Sequence, residues 1–433
     1  MQLSQYLKIY PCPDRPGLNL VYSTKQSSSA LVPDTLLRAA QEGTVTGPDR
    51  ETLARLGFLV EDLAAEQAQM RDIFVIANQR LRAFNAVVVL NLDCNLACPY
   101  CYEDNFRGRL YMTPETADLL VETIQRDWIG QGRDVKLSFY GGEPLLSLDL
   151  IKTISSRLQR AATAQGTSYS FTLVTNGTLL TRPVAQELAA LGLYGAKITL
   201  DGPQETHDLS RPFVSGKGSF DVIVRNVAAV CDLLALQLGG NYTRENYRTF
   251  PLLLDHLKAQ GVTPDRVATV LFAPVLPKSG QQVITDFNGA CTFSYEPWLI
   301  EAGLFLREET LARGFSAPKL KLTSCMVEFA NDLVVNHDGS LYKCPAFMAY
   351  EELRIGTLAD GVGDYAASHN LDLWKTDECL GCAYLPICFG GCRMLTLLRN
   401  NAIDGVDCRR EFFDASLEAI VRQDLRYQAT NKG

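Results

Sequence analysis

Histidine is scarce in this chain. Four occur in 433 residues (His207, His256, His337, His369), and no two stand at ligand spacing. Metal sites built on paired imidazoles, such as two histidines one helical turn apart, are thereby excluded. No apolar run reaches the ~18 residues needed to cross a bilayer. The opening stretch Met1-Gln-Leu-Ser-Gln-Tyr-Leu-Lys-Ile-Tyr lacks the basic region and apolar core of a secretory signal. These two absences point to a cytoplasmic protein off the membrane. Basic charge is not in excess either: 41 Lys and Arg against 49 Asp and Glu leave a net charge of −8. The basic stripe of a nucleic-acid binder is missing. An acidic surface would instead favour a basic peptide.

Cysteine, by contrast, is plentiful, with 13 residues. A disulfide framework is unexpected in a reducing compartment, so metal binding is the better account. With so few histidines the sites must be mostly thiolate, which suits iron–sulfur clusters or zinc. Cys94, Cys98 and Cys101 follow the strand-like run Ala86-Val-Val-Val-Leu-Asn-Leu with the spacing Cys-x3-Cys-x2-Cys. Structural zinc takes four closed ligands, and only three are local here. Three thiolates on a four-iron cluster leave one iron open for an external ligand, against four in an ordinary cluster. A zinc loop and chance clustering are the alternatives.

Around this motif strands and helices alternate. Strand patterns at 86–92, 135–140, 169–174, 196–200, 236–238 and 267–272 are separated by helical ones. Six βα repeats imply an α/β fold with a parallel sheet, here an incomplete barrel. Sites on such sheets lie at the carboxyl ends of the strands. Residues 1–83 read as a small α+β module, a hairpin around Ser27-Ser-Ser with short helices opened by Pro33 and Pro48. A winged-helix-like module of this kind offers a strand edge to an extended peptide; the alternative is a simple cover. Residues 84–290 are assigned to the barrel and 291–324 to a linking helical segment. Residues 325–433 form a cysteine-rich, loop-rich domain. Phe413, Leu417, Ile420, Val421 and Leu425 lie at helical spacing and mark a core-facing C-terminal helix.

Cys94, Cys98 and Cys101, with aromatic Tyr100 before the last, resemble the cluster motif of the radical S-adenosylmethionine (SAM) superfamily. Gly141, Gly142 and Glu143 follow a strand and match that family's GGE motif. The resemblance implies a partial (βα)6 barrel whose cluster binds SAM through the open iron. Gly141, Gly142 and Glu143 would meet the SAM amino group; a plain turn is the alternative. Thr199 stands where sulfatase-maturing relatives carry a ribose-binding Ser. Asn176 is a further SAM contact, or caps a turn with Asp201. Arg225 is a candidate for the SAM carboxylate, or a solvated helix-face Arg.

The later cysteines extend the resemblance. Cys325, Gly339, Cys344, Cys379, Cys382, Cys388, Cys392 and Cys408 follow the SPASM pattern at every position. The resemblance implies two auxiliary four-iron clusters, making three in all. Cys325, Cys344 and Cys392 would serve the first; Cys379, Cys382, Cys388 and Cys408 would serve the second. The first would then have an open iron or borrow Cys291. Zinc remains the alternative for the CxxC pair. Sulfatase maturases carry Asp after the equivalent of Cys344, and this chain has Pro345. The expected function is therefore a maturase of ribosomally made peptides, of the geopeptide type, forming a crosslink or thioether. Its partners would be a precursor peptide or protein and an electron donor such as flavodoxin or ferredoxin. The competing readings are a formylglycine-forming sulfatase maturase and a non-catalytic iron–sulfur or zinc scaffold. Cys12 reads as an ordinary loop thiol and Cys231 as packing.

Overall fold

The computed structural model describes residues 1–430 apart from 102, 104, 105 and 276–295. Cys291, and the choice it posed for the first auxiliary cluster, lie outside the described residues. The chain divides into two compact units.

One unit comprises residues 81–318 and 330–369. Its sheet carries six parallel strands in sequence order: β1 (Ala83–Asn91), β2 (Asp134–Gly141), β3 (Tyr169–Thr175), β4 (Leu193–Thr199), β5 (Ala235–Tyr242) and β6 (Val267–Pro274). Successive parallel strands need crossovers, and the intervening helices supply them. The helix Pro114–Asp127 shows how. Thr113 caps it by accepting the Thr116 N–H, Pro114 opens it, and Ala117, Leu120, Val121 and Ile124 form the buried face. Those side chains join Phe139, Phe171, Leu173 and Ile198 of the strands in one continuous core. Among the described residues β6 does not pair back onto β1, so the sheet stays open. The far side of β1 is extended instead by Asp332–Val335, parallel to it, and by short antiparallel strands up to Val362. The incomplete barrel read from the sequence is the observed architecture.

A 3-10 turn Pro144–Ser147 precedes the helix Leu148–Gln165, and the Ser147 hydroxyl accepts from Asn91 Nδ2 at 2.8 Å instead of capping that helix. The segment Tyr247–Thr249 is likewise a 3-10 turn that leads into the helix Phe250–Ala259.

The other unit comprises residues 1–80, 319–329 and 370–433. Leu7–Pro11, Leu18–Ser23 and Ser28–Pro33 form an antiparallel sheet, with short helices after it. The N-terminal residues share a core with the cysteine-rich segment: Tyr6, Met70 and Phe74 pack with Trp374, Leu380, Leu385 and Phe389. Phe74 meets Phe389 edge-on at 4.8 Å and Trp374 at 5.6 Å. The Tyr6 hydroxyl donates to the Leu380 carbonyl at 3.0 Å. Packing thus groups the first 80 residues with part of the stretch 325–433, while 330–369 go with the barrel. The C-terminal helix Arg410–Thr430 buries Phe413, Leu417, Ile420 and Val421 as its spacing implied. Among the described residues no helix is long and apolar enough to cross a membrane.

Candidate functional site

The loop bearing Cys94, Cys98 and Cys101 leaves the carboxyl end of β1. Backbone bonds hold it on the segment after β4: Ala97 N–H donates to the Pro212 carbonyl at 2.8 Å and Val214 N–H to the Asn95 carbonyl at 3.0 Å. Arg107 closes the other side, donating to the carbonyls of Cys94 and Leu96 at 3.0 and 2.6 Å. Burial pushes all three thiols up. The Arg107 charge works against that at each of them, and Arg211 does so at Cys94 and Cys98. Metal binding releases thiol protons, and these two cations favour that release.

Gly141 and Gly142 bring the end of β2 onto the root of this loop. Gly141 has φ of +146°, and a Cβ there would lie 2.2 Å from the Asn91 carbonyl oxygen. At Gly142 a Cβ would lie 2.2 Å from the Asp93 carbonyl oxygen. Only glycine permits this approach. Glu143 follows with no exposed surface. Its carboxylate accepts from Leu145 N–H at 3.0 Å, Asn176 N–H at 2.8 Å and the Thr175 hydroxyl at 2.8 Å. Burial raises its pKa and those bonds oppose the rise. The carboxylate thus turns inward and ties β2 to β3. Asn176 continues the link, donating through Nδ2 to Asn95 Oδ1 at 2.8 Å and to Cys94 Sγ at 3.8 Å. The expected trio Gly141, Gly142 and Glu143 and Asn176 therefore meet at the cysteine loop.

A second network reaches Tyr100. Its hydroxyl bonds to the Asp201 carboxylate and accepts from Arg211 Nη1 at 2.8 Å and Asn241 Nδ2 at 3.2 Å. Burial pushes Asp201 up while Arg211 pulls it down. Arg211 stays protonated: burial disfavours its charge, but Tyr100, Asp201 and Cys98 outweigh that. Its Nε is buried without a hydrogen-bond partner, as is Asn91 Oδ1. An unpaired donor beside Cys94 and Cys98 fits an anionic group at that position. Arg211 was missed by sequence reasoning; the spacing His207-Asp-x-x-Arg after Asp201 was its one signal. Thr199 ends β4, half-buried. Arg225, proposed for the SAM carboxylate, is exposed on the helix Phe220–Val230, where the solvated alternative places it.

His207 braces this wall. Its Nδ1 accepts the Asp201 N–H at 3.1 Å, which leaves the proton on Nε2, 3.0 Å from Ser219 Oγ. Burial pushes its pKa from 6.5 down to about 3. The unfolded chain therefore takes up a proton below pH 6.5 that the folded chain refuses, and stability falls as pH falls through that window. Relative to His207→Asn, the unaltered protein should lose about 2 kcal/mol more on going from pH 7 to 5. Denaturant midpoints of both proteins across that range check this; parallel curves would contradict it.

The later cysteines fall in both units. Cys379, Cys382, Cys388 and Cys408 line one cavity of about 320 Å³. Cys325 and Cys392 lie in the same unit and feel each other's charge. Cys344 belongs to the barrel unit, before the 3-10 turn Pro345–Ala349. Among the described residues no three Cys, His, Asp or Glu side chains converge as one ion requires.

Residues 88–237, from β1 to the start of β5, match the Radical SAM superfamily. Over those residues the barrel is similar to radical SAM domains. The family implies SAM and a four-iron cluster, and the Cys94/Cys98/Cys101 loop is the cysteine triad inside the matched residues. The chain is 32% identical to the Fe-coproporphyrin III synthase of Methanosarcina barkeri, a match spanning 41% of this chain and 42% of that protein. It is 25% identical to a cysteine-type anaerobic sulfatase-maturating enzyme of Clostridium perfringens, over 69% of this chain and 86% of the relative. Two solved structures share this fold. Native anSMEcpe with bound AdoMet and Cp18Cys peptide covers 78% of this chain and 98% of its own at a TM-score of 0.62 and 20% identity. Streptococcus suis SuiB bound to precursor peptide SuiA covers 95% and 99% at 0.55 and 14%.

Proposed function

We propose that this protein is a radical SAM maturase that modifies a peptide or protein, carrying one SAM-binding and two auxiliary four-iron clusters. The observation that carries the reading is the triple-thiol loop pinned at the strand ends beside Glu143, Asn176 and the unpaired Arg211 Nε, in a chain that also holds a four-thiol cavity. Cys94, Cys98 and Cys101 would hold the first cluster. Gly141 and Gly142 let the end of β2 close onto the loop root, against which the SAM methionyl group would lie, with Glu143 tying β2 to β3. Arg211 would offer its Nε–H to an anion, and Thr199 and Asn176 would contact the SAM ribose. When bound, the cluster and SAM supply a 5′-deoxyadenosyl radical able to take hydrogen from an unactivated carbon. The residues of this chain orient the reactants and exclude water, and placing reacting atoms within ~3–3.5 Å is their main contribution. Cys379, Cys382, Cys388 and Cys408 would hold the second auxiliary cluster. Cys325, Cys344 and Cys392 are assigned to the first on the family pattern.

The substrate is read as a precursor peptide, because Pro345 replaces the acid that sulfatase maturases carry after the cysteine. A flavodoxin or ferredoxin would supply the electron. Anaerobic reconstitution should give about twelve irons per chain, four for each cluster. About four would remove the auxiliary clusters, and zinc alone would restore the scaffold reading. Incubation of reduced enzyme, SAM and the candidate precursor, followed by mass spectrometry, tests the activity. A mass loss of two hydrogens per crosslink supports the peptide maturase; formylglycine on a sulfatase peptide would support the other.

A further inference from the structure

Glu328 and Arg393 form an ion pair whose side chains are 3% and 1% exposed. Trp374 Nε1 donates to the same Glu328 oxygen at 3.2 Å, and Asn78 Nδ2 donates to the Glu328 carbonyl at 2.8 Å. Arg393 also donates through Nη2 to the Asn370 carbonyl at 3.2 Å. The pair is therefore fixed from several sides. Local sequence explains its position. Cys325 opens the turn Met326–Glu328, and Arg393 follows Cys392 as the first residue of the helix Arg393–Asn400. The two turns that present Cys325 and Cys392 also present the carboxylate and the guanidinium. Arg393 thus stands directly after Cys392, and the carboxylate that holds it stands three residues after Cys325.

Burying a charge pair gains little stability over packing apolar residues in its place. A buried cation against a cluster ligand has another effect. A thiolate-held cluster gains negative charge on reduction, and hydrogen bonds to its sulfurs, local charge and exclusion of water set its potential. We propose that Arg393 raises the reduction potential of the auxiliary cluster on Cys325 and Cys392, with Glu328 holding it in place as a partly opposing charge. This rests on the cluster assignment under Proposed function. Arg393 is a positioning and tuning residue in this account.

The test uses the full-length, reconstituted protein with Cys94, Cys98 and Cys101 changed to Ala, so that only auxiliary clusters report. Redox titration followed by electron paramagnetic resonance gives their two midpoints, and loss of one in Cys325→Ala assigns it. Glu328→Gln removes the opposing charge and should shift that midpoint upward. The double variant Arg393→Gln with Glu328→Gln leaves no unpaired buried charge, so folding is protected. It should shift the same midpoint below that of the unaltered protein. The other auxiliary midpoint should stay in place in both. Midpoints that do not move, move in one direction in both variants, or move together for both clusters overturn the inference. A protein that assembles no cluster on Cys325 overturns both the inference and the assignment beneath it.

Discussion

Replacing Cys98 by Ala should abolish 5′-deoxyadenosine formation while leaving about eight of about twelve irons in place. Cys98 lies mid-loop, and its backbone carbonyl accepts the Cys101 N–H at 3.2 Å, a bond that Ala keeps. The loop is held mainly by Arg107 and by backbone bonds to residues 212 and 214, none of which involves the Cys98 thiol. Loss of one thiolate from a three-thiolate site leaves two protein ligands, too few to keep the cluster. The auxiliary cysteines are elsewhere in the chain and should retain their iron. The measurement is product formation from SAM under strong reductant, alongside iron and sulfide analysis. Residual turnover above a few per cent, or loss of all iron, would contradict the division of labour proposed here.

The second large effect falls on Glu143. In Glu143→Gln an NH2 group replaces one acceptor oxygen, yet the donors Leu145 N–H, Asn176 N–H and the Thr175 hydroxyl surround both positions. Whichever way the amide turns, a buried backbone N–H faces another donor. Leaving such a group unsatisfied costs about 1–3 kcal/mol. Since β2 and β3 meet through this side chain, the strain falls on Gly142 and Asn176. SAM affinity should drop about ten- to a hundredfold, as 1.4 kcal/mol is tenfold, and unfolding should shift to lower denaturant. Equilibrium SAM binding to the reconstituted protein reads the first effect directly. Unchanged affinity would remove Glu143 from the organisation of the pocket.

What the sequence made legible follows from which signals are local. Most of the six strands carry short β-branched or aromatic runs, and the helix Pro114–Asp127 shows cap, proline and apolar stripe together. The cysteine loop and Gly141-Gly142-Glu143 are likewise contiguous motifs. Partners distant in the chain were not readable. Tyr6 finds Leu380, and Phe74 finds Trp374 and Phe389, so the N-terminal helices and the cysteine-rich segment share one core. Apolar periodicity shows which face is buried, not what buries it. Arg211 was not readable for the same reason: it acquires its place only when Tyr100 and Asp201 meet around it. Glu143 is legible as part of a contiguous motif, but its inward turn depends on Thr175 and Asn176.

The central claim is that the Cys94/Cys98/Cys101 site keeps one iron for SAM. Electron paramagnetic resonance of the anaerobically reduced protein, recorded with and without SAM, tests it most directly. SAM should change the signal of one cluster, and that change should vanish in Cys98→Ala. A spectrum that SAM leaves untouched, or a SAM response that persists in Cys98→Ala, would contradict the account.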